Sequence, residues 1–208
     1  MSKRKYSKYS DCKKIPLNYK NVFGAIKNNI RSIKVASQKN GRLSFYNRLI
    51  KSKQCLKIFY TNMSESIFSK SFKAFVKAKA KILDNFVSFA ESRLDIILYR
   101  VGFVSSLHQA RQFINHGHII VDYKSINLAA STKVKNNSLV CMHKYNTFIL
   151  LKKVIYMNVI SYLCNRSTLS YLEVNYKLLD IIFLWDPDFK SVFFPINTKY
   201  ILISRFYK

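Results

Sequence analysis

Apolar positions recur at helical spacing from Arg42 onward. Leu43, Tyr46, Leu49 and Ile50 share one face, and Leu56, Phe59 and Tyr60 continue it. Ile67, Phe68, Phe72, Phe75 and Val76 repeat the pattern in the next segment. Leu83, Phe86, Val87, Ala90, Leu94, Ile97, Leu98 and Val101 form the cleanest stripe in the chain. The spacing predicts core packing for these aromatic residues. A short helix is signposted after Gly102: Ser106 with Gln109 three residues on is a capping-box pattern, and Gly117 stands where a left-handed C-terminal cap belongs. Leu107, Ala110, Phe113 and Ile114 are its apolar face.

Strand patterns follow. Ile119-Ile120-Val121 leads to a turn around Asp122-Tyr123-Lys124, and a second polar turn at Asn136-Asn137-Ser138 leads to Leu139-Val140-Cys141-Met142. In the C-terminal third, Tyr145–Leu151, Tyr171–Val174, Ile181–Trp185 and Tyr200–Ile203 are rich in β-branched and aromatic residues and read as strands, with Pro187 and Pro195 separating the last two. Residues 1–40 have little periodicity, many Lys and Asn, and Pro16; they read as an extended arm ordered only against a partner. The fold class is α+β and mostly helical, with two helices and short antiparallel strands forming a compact module after residue 92.

Charge names the kind of partner. Among 208 residues, 36 Lys+Arg oppose 10 Asp+Glu, a formal charge of +26. Residues 1–90 alone hold 21 basic and 3 acidic side chains, so the contact with a polyanion should concentrate there. Nucleic acid is the first reading of that polyanion and an anionic membrane surface the second. A 49% hydrophobic share supplies a core and excludes a wholly disordered basic tail. The longest uncharged run is the 12 residues between Lys153 and Arg166, short of the roughly 20 that span a bilayer, so no transmembrane segment is expected.

The four cysteines, Cys12, Cys55, Cys141 and Cys164, stand singly and read as free thiols rather than zinc or disulfide ligands. His116 and His118 lack a third ligand at useful spacing, so no metal and no cofactor is expected. Neither a Gly-x-x-x-x-Gly-Lys phosphate loop nor a Gly-x-Ser-x-Gly elbow occurs, and nothing points to an enzyme or a small-molecule substrate. Abundant Lys, Ile, Asn, Phe and Tyr, with only 4 Gly and 3 Pro, match A- and T-rich codons and suit a small organelle genome. The start, MSKRKYSKYSDCKK, is basic and poor in acids like a transit peptide, but lacks arginine enrichment and an amphipathic stripe.

The ordered set Arg93-Leu94-Asp95, Tyr99-Arg100, Gly102-Phe103, Ala110-Arg111-Gln112 and His116-Gly117-His118-Ile119 resembles the alpha-L type RNA-binding module of the small-subunit ribosomal protein S-four family. Upstream, Arg42-Leu43-Ser44, Tyr46, Lys53-Gln54, Lys57 and Tyr60 resemble the family's long helix. Downstream, Tyr171-Leu172-Glu173-Val174 and the stretch from Ile196-Asn197 to Tyr207-Lys208 resemble its closing segments. The resemblance implies a basic arm over residues 1–41, a mostly helical domain from residues 42–92 plus 145–208, and an alpha-L module over residues 93–144 inserted between them. It also implies a structural, non-enzymatic protein that binds small-subunit rRNA, nucleates assembly, touches neighbouring ribosomal proteins and lies near the path by which mRNA enters. A mitochondrial, organelle-encoded member is the favoured reading, with a plastid member as the alternative. A non-ribosomal RNA chaperone or assembly factor using the same module, or a basic peripheral membrane protein, are the rival functions.

Binding A-form RNA favours charge and shape over base reading. Arg93, Arg100 and Arg111 carry guanidinium forks suited to phosphate, and Ser105 and Ser106 begin a helix whose N–H groups suit another. Gln109, Gln112 and His116 are candidates for sugars or bases, and Lys124 for phosphate. Arg42, Arg48, Lys51, Lys53 and Lys57 give the long helix a basic flank. For any one lysine the plain alternative is a solvated surface charge. Asp95 is read as orienting a neighbouring arginine. The family usually has Asn-Gly-Lys where this chain has Asp122-Tyr123-Lys124, and Tyr is poor at positive φ, so another turn geometry is expected there.

Overall fold

A computed structural model describes residues 44–60, 63–77, 81–123, 129–142, 155–157, 159–160, 169–192, 203, 206 and 207. The chain divides into two compact units, one of Met1–Ala80 with Phe194–Lys208 and one of Lys81–Phe193.

In the first unit, α1 (Phe45–Phe59) starts where the Ser44 hydroxyl accepts a hydrogen bond from the Asn47 N–H at 3.3 Å. It buries Leu49, Leu56, Ile58 and Phe59. Helix α2 (Glu65–Lys77) carries its acid in the first turn and a lysine in the last, as the helix dipole favours. Phe68 and Phe72, one turn apart, are fully buried with ring centroids 5.0 Å apart. The Tyr207 ring lies 5.6 Å from Phe72 and 5.9 Å from Phe68, which ties the end of the chain to this helix.

In the second unit the long apolar stripe becomes two helices, α3 (Ile82–Glu91) and α4 (Leu94–Val101). The break falls at Arg93, whose backbone is extended (φ −73°, ψ 138°). A continuous helix would send the Leu94 and Asp95 N–H groups to carbonyls four residues back. Here they go to Thr132 and Ala130 at 3.0 and 3.3 Å, and the Val134 N–H donates to Ser92 at 2.8 Å. Every residue of α4 is buried. Gly102, at φ 85°, ends it.

Helix α5 (Leu107–Asn115) buries Leu107, Ala110, Phe113 and Ile114, as its spacing predicts. It closes with the His118 N–H on Phe113 at 3.1 Å and the Gly117 N–H on Ile114 at 3.0 Å, with Gly117 at φ 73°. That is a Schellman motif.

Strands β1 (Ile119–Val121), β2 (Ser138–Met142), β3 (Leu172–Asn175) and β4 (Asp180–Phe183) form one antiparallel sheet in the order β1-β2-β4-β3. Ile119, Val140, Met142, Leu172, Ile181 and Phe183 are buried, alternating with more exposed neighbours.

Several expectations change. Strand β4 pairs with β2 through Val140 and Ile181, so residues 172–183 share a sheet with the module expected to stand apart. Cross-strand hydrogen bonds draw in this segment despite its distance in sequence. The compact unit runs from 81 to 193, and the span 93–144 that the resemblance implies lies within it. Tyr46 and Ile67, read as core, are 61% and 48% exposed. Ile203, read as the end of a strand, is helical and buried, and Tyr145–Leu151 lies outside the described residues. The turn after β1 takes positive φ at both Asp122 (47°) and Tyr123 (63°), against the expectation that tyrosine would divert it.

Candidate nucleic-acid interface

Asp95 organises the surface of the second unit from beneath. Its carboxylate is fully buried and accepts from Arg93 Nε at 3.0 Å, Arg93 Nη2 at 2.8 Å and Arg111 Nε at 3.3 Å. One buried negative charge thus holds two guanidiniums from different elements, Arg93 at the start of α4 and Arg111 on α5. The two are not equivalent. Arg93 has only 6% of its side chain exposed, whereas Arg111 keeps 33% in solvent. Asp95 therefore orients a neighbouring arginine as expected, and Arg111 is the one presented outward.

Arg100 departs from its expected role. Its guanidinium donates to Glu91 through Nε at 2.9 Å and Nη2 at 2.6 Å, and the Tyr171 hydroxyl adds a third hydrogen bond to Glu91 at 3.0 Å. The arginine side chain is 5% exposed and the glutamate 0%, so this fork is spent on the fold. Two charges removed from water need each other and complete hydrogen bonding to offset desolvation. Arg93 is constrained in the same way.

At the start of α5 the Ser106 hydroxyl accepts from the Gln109 N–H at 3.3 Å. The Gln109 amide oxygen reaches back one residue further than a capping box requires, accepting from the Ser105 N–H at 2.9 Å and the Ser105 hydroxyl at 2.8 Å. Ser105 and Gln109 thus engage each other. Gln112 and His116 are exposed on the same helix and its cap. The His116 and His118 rings lie 5.9 Å apart, and among the described residues no group of three metal-ligating side chains occurs.

On α1 of the first unit, Arg48 and Lys51 are exposed. Lys53 and Lys57 converge on Glu65 at 3.0 and 3.2 Å, and the Tyr207 hydroxyl donates to the same carboxylate at 2.8 Å. Lys53 also sits 4.2 Å from the Phe206 ring centroid. Burial alone would raise the Glu65 pKa, but hydrogen bonds from Lys53, Tyr207 and Lys57 and the Lys53 charge outweigh it and lower it to about 2. Burial, then the Glu65 hydrogen bond and charge, pushes the Tyr207 phenol well above its ordinary value. Arg42 and Lys124 lie outside the described residues.

Glu65, Glu91, Tyr171 and Tyr207 are the site residues that sequence reasoning missed. Glu91 had one available signal: with only 10 Asp+Glu in the chain, an acid inside the apolar stripe of Leu83–Val101 calls for a cationic partner.

The two helices and first strand of the second unit fall in residues 92–135, which match the S4 domain family, so the chain is an S4-domain protein. Similarity extends well beyond that module. Small ribosomal subunit protein uS4m of Reclinomonas americana is 36% identical over 177 residues, 78% of this chain and 65% of that protein. Small ribosomal subunit protein uS4 of Rhodopseudomonas palustris (strain BisA53) is 32% identical over 170 residues, 82% of this chain and 80% of that protein. The protein of the same name in Caulobacter vibrioides (strain NA1000 / CB15N) is 28% identical over 100% of this chain and 99% of its own length. The chain belongs to the uS4 family of small ribosomal subunit proteins.

Proposed function

We propose that this chain is a structural constituent of the small ribosomal subunit that binds small-subunit rRNA directly and catalyses nothing. The observation that carries this reading is the match to proteins named small ribosomal subunit protein uS4, over the whole chain in one and 82% of it in another. The chemistry agrees. A charge of +26 suits a phosphate polymer, and Arg111, held by Asp95 and partly exposed, is a pre-set guanidinium for one of its phosphates. Within the second unit the exposed Gln112 and His116 extend that contact. In the first unit the exposed Arg48 and Lys51 offer a contact of their own, while Lys53 and Lys57 meet RNA only in competition with Glu65.

The finer reading is mitochondrial, supported by the uS4m relative and by a composition that suits a small organelle genome. Neighbouring small-subunit proteins are the other partners. Early binding during assembly and a position near the incoming mRNA belong to the same reading. Sedimentation of mitochondrial lysate through sucrose at moderate and high salt tests it. Co-migration with small subunits that survives high salt is expected. Migration near the top of the gradient, or stripping at moderate salt, would replace it with a transient RNA chaperone.

A further inference from the structure

Tyr123 places an exposed ring on a turn whose backbone favours a residue without one. Its φ of 63° lies in the left-handed region, where Cβ crowds the following carbonyl. The residue is 90% exposed, so the ring buries almost nothing against this chain. The turn beneath it is nonetheless firmly tied. Asp122 accepts from the Ser138 hydroxyl at 2.9 Å and the Leu139 N–H at 3.0 Å, and its own N–H donates to the Leu139 carbonyl at 3.0 Å. Glycine or asparagine would take the same backbone at less cost. A residue held in a costly conformation, with no packing in return among the described residues, points to a contact outside the chain.

The surroundings say what kind of contact. Asp122 ties the turn to Ser138, and the three residues before it, Lys135, Asn136 and Asn137, are all exposed. That stretch carries one cation and two amides, groups that pair with phosphate, sugar and base edges. An exposed aromatic residue on a turn hydrogen-bonded to a segment that carries a cation and two amides suits a nucleotide: ring on base, lysine on phosphate, amides on sugar or base edges.

We propose that Tyr123 is a stacking platform for an unpaired base in the bound RNA, a proposal that rests on the rRNA-binding reading above. Tyrosine suits the role because it presents a rigid ring with only two side-chain torsions to order. Every base has a π-face, so the stack itself is tolerant of sequence and recognises a nucleotide splayed out of its helix.

The test uses the full-length chain, small-subunit rRNA transcribed in vitro, and the variants Tyr123→Phe, Tyr123→Leu and Tyr123→Gly. Affinity and 2′-hydroxyl acylation of the RNA are measured for each. Tyr123→Phe should bind within about two-fold of the wild type, while Tyr123→Leu and Tyr123→Gly lose on the order of ten-fold. One locally reactive nucleotide that the wild type protects should regain reactivity with Tyr123→Gly, the remaining footprint being unchanged. Tyr123→Gly should also melt no lower than the wild type, since it relieves the backbone. Wild-type affinity and footprint for Tyr123→Leu or Tyr123→Gly would overturn the proposal, and would leave a protein contact as the explanation of the exposed ring. Absence of any footprint from the wild-type chain would instead overturn the RNA-binding reading, and this proposal with it.

Discussion

Glu91 and Arg100 face each other across the junction of α3 and α4, joined at 2.9 and 2.6 Å and shut away from solvent. The Tyr171 hydroxyl closes the arrangement from a residue 80 positions further along the chain. A pair of this kind specifies how helices and sheet meet more than it adds net stability.

Arg100→Met leaves a buried carboxylate without its counter-charge and should cost about 3–5 kcal/mol. Changing both partners, Glu91→Leu with Arg100→Met, should cost clearly less than Arg100→Met alone. Urea unfolding of the three proteins measures both. An unshifted midpoint for Arg100→Met would return this arginine to the RNA-binding set.

The two arginines on Asp95 should separate by experiment. Arg111→Gln removes a partly exposed partner, so the loss of stability should stay within about 1 kcal/mol. Binding to small-subunit rRNA should weaken, and the slope of log affinity against log salt should flatten by about one phosphate contact. Asp95→Asn strips the counter-charge from buried Arg93 and should unfold the domain far more readily, by about 3 kcal/mol. Equal effects of the two changes on stability would contradict the assigned roles.

Glu65 gives a pH dependence with a definite sign. Its folded pKa of about 2 lies below the ordinary 4.5, so between those values the unfolded chain binds more protons. The stability it contributes is complete above pH 4.5 and is lost as pH falls toward 2. The side chain is 47% exposed, so solvent screening keeps the effect small. Acid titration of unfolding should be flatter over that window in Glu65→Gln than in the wild type. Parallel curves would show that Lys53, Lys57 and Tyr207 do not hold this carboxylate in solution.

Gly117→Ala isolates backbone strain. A Cβ there meets nothing within 4 Å, so the left-handed φ of 73° is the whole penalty, about 1–2 kcal/mol. Thermal melting of the variant should show it directly. A gain in stability would mean that α5 ends differently in solution.

The sequence by itself determined the local elements and the family. Ser106, Gly117 and the spacing of Leu107, Ala110, Phe113 and Ile114 specify a helix with both ends marked, because caps and apolar periodicity act over a few residues. The ordered run from Arg93 to Ile119 named the module, and the charge named a polyanion. Tertiary structure decided what each charge is for. Arg93, Arg100 and Arg111 look alike as letters, yet only Arg111 keeps a third of its side chain in water, because burial depends on what packs above it. The break at Arg93 is likewise long-range, since it depends on carbonyls at 130 and 132 accepting N–H groups that a continuous helix would pair within itself. The place of β4 beside β2 follows the same logic: period-2 patterning predicts a strand, but pairing partners are chosen by the assembled sheet.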